Sequence, residues 1–306
     1  MSFETLTITS PTGRTLAQFV PAVNMVCCSL VHDGAERLEL RRGLAMYAEA
    51  GKTMGIPLLY PWANRLGRFG YQAAGKQVTL DQADARLPRD SQGLPIHGVL
   101  PSLLSWDVAA GADARTIDAR LAWTSAELLE LFPYPHEVRV KVAAADGELN
   151  IATTVCANRG EPVPVSFGYH PYLRIPSAPR ESWEVELAAS RRLVLNERGI
   201  PTGEREPVPH TRVKLGQTSW DTAFDGLVRP ARWRAAGGEE TVTVTFEAGY
   251  DFAQVFAPDG QEFICFEPMT APCDALNSGD GLRIVPPGAE HRGEFSLTVT
   301  SGAPAS

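Results

Sequence analysis

Several patterns that would identify a class of protein at once are missing from this chain. It holds no GxGxxG or P-loop, no GxSxG nucleophile motif, and no HExxH or EF-hand spacing. Its six histidines never stand as HxH or HxxxH, so their spacing gives a metal site no support. These absences argue against dinucleotide enzymes, NTPases, serine hydrolases and zinc proteases, and we expect no metal.

Cysteine and positive charge are also scarce. The five cysteines form no CxxC pair, and the adjacent Cys27 and Cys28 lie in an apolar stretch, as reduced cysteines often do. Reduced thiols indicate a cytoplasmic protein. The 28 basic and 36 acidic residues leave a net charge of −8 with no basic run, which argues against nucleic acid as a partner.

The chain has no long apolar run. Residues 15–31 carry no charge, but they include Gln18, Pro21 and Asn24 and fall short of the roughly 20 apolar residues that span a membrane. The first residues lack the basic start of a secretion signal. We therefore expect a soluble protein with no membrane partner.

Turns and strands are what the sequence does contain. Its 27 glycines and 24 prolines are spread along the chain, which disfavours long helices. Alternation in residues 137–142 and 149–156, on either side of Asp146-Gly147, predicts a β-hairpin. The only predicted helix is residues 125–131, because Pro133 and Pro135 stop it. Further strands are predicted at residues 6–8, 15–19, 241–246, 253–256, 262–267 and 294–300. We expect one large, mostly antiparallel all-β domain over residues 1–306.

Two segments place polar side chains among turn residues. Asn64 and Arg65 follow Tyr60-Pro-Trp-Ala, where an amide and a planar guanidinium can hold neighbouring hydroxyl groups. The alternative is a surface turn with a solvated arginine. His97 stands between an apolar pair and Gly98, a context that usually gives a structural histidine.

Three more residues combine an ionisable group with aromatic or apolar neighbours. His170 precedes a proline among aromatics, a setting that suits either proton transfer or a packed core histidine. Glu267 closes a nearly pure hydrophobic strand, where a carboxylate is costly unless it is useful or paired with an arginine. Asp221 lies beside aromatics, and in isolation it predicts an Asx turn.

The order of these segments resembles the aldose 1-epimerase (galactose mutarotase) family over about residues 16–299. The resemblance is carried by NRLGRFGY (64–71), IHG (96–98), FGYHPYL (167–173), WDTAF (220–224), ICFEP (264–268) and PPG (286–288). It implies one large antiparallel β-sandwich, the supersandwich of galactose mutarotase-like proteins, with an open sugar-binding cleft. It also implies interconversion of the α and β anomers of free aldoses, with a sugar as partner and no metal or organic cofactor.

The resemblance assigns roles to six residues of this chain. Glu267 matches the general base and His170 the general acid, and His97 matches the second active-site histidine. The substrate-binding pair is matched by Asn64 and Arg65, and the acid that holds sugar hydroxyls by Asp221.

The chain also departs from the galactose-specific members of the family. Its C-terminal region, residues 253–288, is shorter, and a glutamine that they place near the sugar has no recognisable counterpart in the sequence. Arg68 and Arg174 near the motifs motivate a hexose-6-phosphate 1-epimerase as an alternative. A non-catalytic carbohydrate-binding or sensing protein of the same fold is the other alternative. The sequence leaves both a monomer and a homodimer open.

Overall fold

The computed structural model describes residues 3–109, 113–209 and 211–302, and most elements within them are strands. In chain order the strands are β1 (Leu6–Thr9), β2 (Thr15–Val20), β3 (Val26–His32), β4 (Ala35–Glu36), β5 (Leu58–Leu59), β6 (Gly70–Ala73), β7 (Lys76–Thr79), β8 (Asp107–Val108), β9 (Thr116–Trp123), β10 (His136–Ala145), β11 (Glu148–Ala157), β12 (Val163–Val165), β13 (Gly168–Tyr169), β14 (Tyr172–Leu173), β15 (Glu184–Leu187), β16 (Ala189–Leu195), β17 (Pro201–Pro207), β18 (Thr211–Lys214), β19 (Trp220–Leu227), β20 (Ala231–Gly237), β21 (Glu240–Ala248), β22 (Phe252–Ala257), β23 (Ile264–Met269), β24 (Arg283–Val285) and β25 (Glu290–Ser301).

Helices are few and short. They are α1 (Gly43–Ala50), α2 (Ala126–Leu131) and α3 (Ala275–Ser278), with single 3-10 turns at Pro101–Leu103 and Arg180–Ser182. Within the three described ranges, no helix has the length and apolar character needed to cross a membrane.

Two large antiparallel sheets dominate the architecture. One has nine strands in the order β18-β15-β20-β21-β25-β11-β10-β9-β8, and the other has the order β17-β16-β19-β22-β23-β13-β5 with β14 beside β23. A four-stranded sheet, β1-β2-β3-β4, and the pairs β12-β24 and β6-β7 complete the set.

The hydrophobic core lies between the two large sheets. Tyr169 on β13 meets Phe295 on β25 with ring centroids 5.0 Å apart. Trp233 on β20 meets Phe224 on β19 at 5.4 Å and Phe266 on β23 at 6.0 Å. These five aromatic side chains join opposite sheets, so the predicted antiparallel β-sandwich is confirmed.

The predicted hairpin and helix form, whereas one predicted strand has different bounds. The hairpin around Asp146-Gly147 forms between β10 and β11, and the hydroxyl of Ser125 caps α2 by accepting from the Leu128 amide. The strand predicted to end at Glu267 instead runs to Met269, so this carboxyl lies inside β23. The predicted end was wrong because the apolar run of the sequence stops at Glu267 and a proline follows, whereas Pro268 is itself part of the strand.

Strand alternation decides which face of the eight-stranded sheet carries Glu267. Successive side chains point to opposite faces, and Phe266 points into the core between the sheets. Glu267 therefore points to the outer face, where the chain segments holding His97 and His170 cover it. The single-domain prediction also includes residues 1–2, 110–112, 210 and 303–306, which lie outside the described residues.

Candidate active site

A carboxyl–imidazole pair lies at the centre of this outer face. Nε2 of His170 is 3.2 Å from Oε1 of Glu267, and only 8% and 2% of the two side chains are exposed. Glu267 thus faces a histidine and not the arginine that a purely structural ion pair would supply.

Burial shifts the two members of the pair in opposite directions. It raises the pKa of Glu267 well above 4.5, and the charge of Asp221 adds to this while that of Arg65 opposes it. Burial also lowers the pKa of His170 well below 6.5, with a further contribution from His97. The pair therefore favours a protonated Glu267 beside a neutral His170. Transfer of the carboxyl proton to the imidazole gives a carboxylate beside an imidazolium.

Aromatic rings fix the orientation of His170. Its ring stacks on Tyr172 with centroids 4.5 Å apart and planes 9° apart, and it meets the edge of Phe256 at 5.7 Å. His97 approaches at 5.8 Å with its plane nearly perpendicular. These contacts restrict rotation of the imidazole and keep water from most of its surface.

Two hydrogen bonds with Asn64 hold His97 in place. The amide of Asn64 donates to His97 Nδ1 at 3.2 Å, and the amide of His97 donates to the Asn64 carbonyl at 2.9 Å. Asn64 and His97 both have a positive φ, 58° and 61°, a backbone conformation that residues other than glycine rarely adopt. Since Nδ1 accepts a hydrogen bond, the neutral ring carries its proton on Nε2. Burial lowers the pKa of His97 to about 3, so it is a neutral donor.

Arg65 lies next to this pair of loops. Its Nε donates to Asp90 Oδ2 at 2.7 Å, and its Nη1 donates to Asn64 Oδ1 at 3.1 Å. A backbone bridge between Arg65 and Ile96 joins the loop to the one that carries His97. The arginine of the predicted clamp is therefore held by its neighbours and is not a solvated surface residue.

Asp221 reaches the site through a residue that the sequence analysis missed. It lies in β19, not in an Asx turn, and Gln254 Nε2 donates to its carboxylate. Gln254 is 5% exposed and stands directly opposite Glu267 in the β22–β23 pair. A polar residue at a buried position of the apolar strand FAQVFA is the signal that could have found it.

The structure brings the six predicted residues into one cluster, whereas the two spare arginines have partners elsewhere. Arg68 Nε donates to Asn277 Oδ1 at 3.0 Å, and Arg174 lies 3.6 Å from Glu39. Among the described residues, no group of three or more His, Cys, Asp or Glu side chains is placed to hold a metal ion.

Fold and site together define a class: an antiparallel β-sandwich with a buried acid–base pair on the outer face of one sheet. The profile of the aldose 1-epimerase family matches residues 28–298. The chain belongs to the aldose 1-epimerase family.

Individual proteins are similar to this chain over more than half of its length. The chain is 28% identical to the maltose epimerase of Levilactobacillus brevis over 176 residues, which cover 55% of this chain and 50% of that enzyme. It is 22% identical to the protein YihR of Escherichia coli K12 over 254 residues, 78% of this chain and 77% of YihR. The chain thus spans about half the length of the first of these relatives.

Solved structures confirm the galactose mutarotase-like fold. A galactose mutarotase-like protein of Clostridium acetobutylicum superposes with a TM-score of 0.81 at 16% identity, covering 94% of this chain and 93% of that one. The galactose 1-epimerase of Lactobacillus acidophilus superposes with a TM-score of 0.74 at 12% identity, covering 98% and 100%.

Proposed function

We propose that the protein is an aldose 1-epimerase that interconverts the α and β anomers of a free aldose. The observation that carries this proposal is the buried His170–Glu267 pair, 3.2 Å apart, with pKa values shifted in opposite directions. Such a pair suits a reaction that removes one proton and adds another in the same turnover.

Glu267 is the general base and His170 the general acid of this reaction. The carboxylate removes the proton of the C1 hydroxyl while the imidazolium protonates the ring oxygen, and the bond from C1 to the ring oxygen breaks to give the open-chain aldehyde. After rotation about the C1–C2 bond, the ring closes on the other face with the two groups in reversed roles. Each proton transfer of this kind contributes about 10²–10⁴-fold to the rate.

The remaining residues supply binding groups of both kinds. Arg65 and the Nε2 proton of His97 donate to sugar oxygens and stabilise negative charge as the ring opens. Asp221, held by Gln254, accepts from sugar hydroxyls. Because both anomers must bind, none of these contacts depends on the orientation of the C1 hydroxyl.

Two arginines that the sequence suggests as phosphate ligands are engaged by other residues, which supports an uncharged sugar. Arg68 and Arg174, which would be the candidate phosphate ligands, already contact Asn277 and Glu39. The relative that is named a maltose epimerase makes a disaccharide a sensible member of any substrate panel.

Exchange between anomers, measured by NMR or polarimetry, tests the proposal. We expect the protein to accelerate mutarotation of at least one of galactose, glucose and maltose above the spontaneous rate. A KM for glucose 6-phosphate well below that for glucose would instead support the phosphorylated substrate. Sugar binding without any acceleration would contradict the proposal and support a carbohydrate-binding protein.

A further inference from the structure

One buried carboxylate outside the acid–base pair acts on the same site through an arginine. We infer that Asp90 is a positioning residue that holds the guanidinium of Arg65 in its sugar-binding orientation. The inference rests on the proposed function, because it assigns Arg65 a sugar ligand.

Asp90 is itself held rigidly by its own loop. Its side chain is 5% exposed, and Oδ1 accepts from the amides of Gln92 and Leu94 at 2.9 Å each, which leaves Oδ2 for Arg65 at 2.7 Å. Burial alone would raise the pKa of Asp90, but the bonds from Leu94 and Arg65 more than offset it and lower the pKa below 3.8. The carboxylate is therefore charged and fixed where it meets Nε.

Two further contacts close around the same guanidinium. Asn64 Oδ1 accepts from Nη1, and the turn at residues 196–200, between β16 and β17, covers it on another side. A Cβ on Gly199, whose φ is +70°, would lie 3.1 Å from Nη1. Gln92 Nε2 donates to the Glu197 carbonyl at 3.4 Å, which ties this turn to the Asp90 loop.

These contacts determine which part of Arg65 is available to a ligand. Nε and Nη1 both have acceptors, whereas Nη2 has no hydrogen-bond partner among the residues that the structure describes. Both N–H groups of Nη2 are thus free to donate to sugar oxygens. Among the described residues, Asp90 makes no hydrogen bond or ion pair with Glu267 or His170. Its charge also acts on His97, whose pKa it raises against the larger effect of burial, but within the same part of the chain its only hydrogen bond to a site residue is the one to Arg65.

The test is the variant Asp90→Asn, which keeps the shape of the side chain and an oxygen for the loop amides. We expect KM for the preferred aldose to rise about tenfold or more, since a charge-assisted hydrogen bond that orients the ligand group is lost. We expect kcat to change less, because the acid–base pair is intact. Asp90→Glu, which keeps the charge, should recover part of the affinity.

Asp84→Asn is the matched control. Asp84 holds Arg86 at 2.7 Å in a similar pair away from the site, so this variant should leave KM unchanged. An unchanged KM in Asp90→Asn, or a loss confined to kcat, would overturn the inference.

Direct binding separates this inference from the proposed function. The Kd for the aldose is measured by NMR titration in the Glu267→Gln background, where turnover plays no part. Absence of mutarotation by the wild type would refute the proposed function, whereas an equal Kd with and without Asp90→Asn would refute the role of Asp90.

If Asp90→Asn does not fold, Gly199→Ala takes its place. The added Cβ should displace Nη1 and weaken sugar binding, whereas Gly203→Ala on the same hairpin, with nothing within 4 Å of its Cβ, should not. Equal Kd values for the two glycine variants would contradict the inference.

Discussion

Glu267 imposes a cost on the folded state that depends on pH. Burial raises its pKa in the fold well above 4.5, so the unfolded chain ionises first as the pH rises. The free energy of unfolding therefore falls as the pH rises from the pKa of Glu267 in the unfolded chain to its raised pKa in the fold. We predict that Glu267→Gln raises Tm above the wild-type value at about pH 8, and that the gain shrinks toward pH 4.5. Calorimetry at both pH values checks this, and a variant less stable than the wild type at about pH 8 would contradict it.

Asp221 sets part of the same pKa from across the sheet. Its charge adds to burial in raising the pKa of Glu267, so Asp221→Asn should let Glu267 lose its proton at a lower pH. Activity requires one proton on the pair, and its loss at high pH follows the raised pKa of Glu267. We predict that the alkaline limb of kcat/KM moves to lower pH in Asp221→Asn, beyond any fall in its height. An alkaline limb that stays in place or moves upward would show that this charge does not act on the base.

At the scale of elements, the two loops that carry Asn64 and His97 position the polar groups of the site, and they meet at Gly98. A Cβ at Gly98 would lie 1.8 Å from the Tyr60 carbonyl oxygen, whereas a Cβ at Gly93 meets nothing within 4 Å. Both glycines have a φ near +80°, so alanine is strained at each by about 1–2 kcal/mol. We predict that Gly98→Ala costs clearly more stability than Gly93→Ala and lowers kcat/KM, because His97 must shift. Denaturant unfolding of both variants checks this, and equal losses would contradict it.

The sequence predicts these elements unevenly, for physical reasons. Period-two alternation predicts the hairpin of β10 and β11, and a polar cap followed by prolines predicts α2. Neither pattern predicts α1. Its eight residues are held by packing of Tyr47 and Ala48 against Val20, Val23 and Val26. That packing is tertiary, although Gly51, which ends α1 with a φ of 62°, is a local stop signal for this helix.

The candidate site shows the same division. Motif order predicts six of its residues, but the pairing of β22 with β23, which places Gln254 opposite Glu267, is a long-range contact. The hold of Asp90 on Arg65 likewise joins loops 25 residues apart. Such partners cannot be found by reading residues near a motif.

At the scale of the whole molecule, packing of one large sheet on the other supports the site from behind. Trp233 is fully buried between the sheets and touches Phe224, Phe246 and Phe266. We predict that Trp233→Ala lowers the free energy of unfolding by about 3–5 kcal/mol. Val228→Ala, at a side chain that is 52% exposed, should change it by no more than about 0.5 kcal/mol. Equal effects in urea denaturation would contradict the sandwich core.

The central claim is that Glu267 and His170 form the acid–base pair of an anomer-exchanging enzyme. The most direct measurement is NMR exchange between anomers for the wild type, Glu267→Gln, His170→Asn and the control Glu130→Gln, whose side chain is 64% exposed. We predict a loss of about 100-fold or more in kcat for each of the first two variants, with the fold retained and the control unchanged. Near-full rates in either Glu267→Gln or His170→Asn would contradict the assignment.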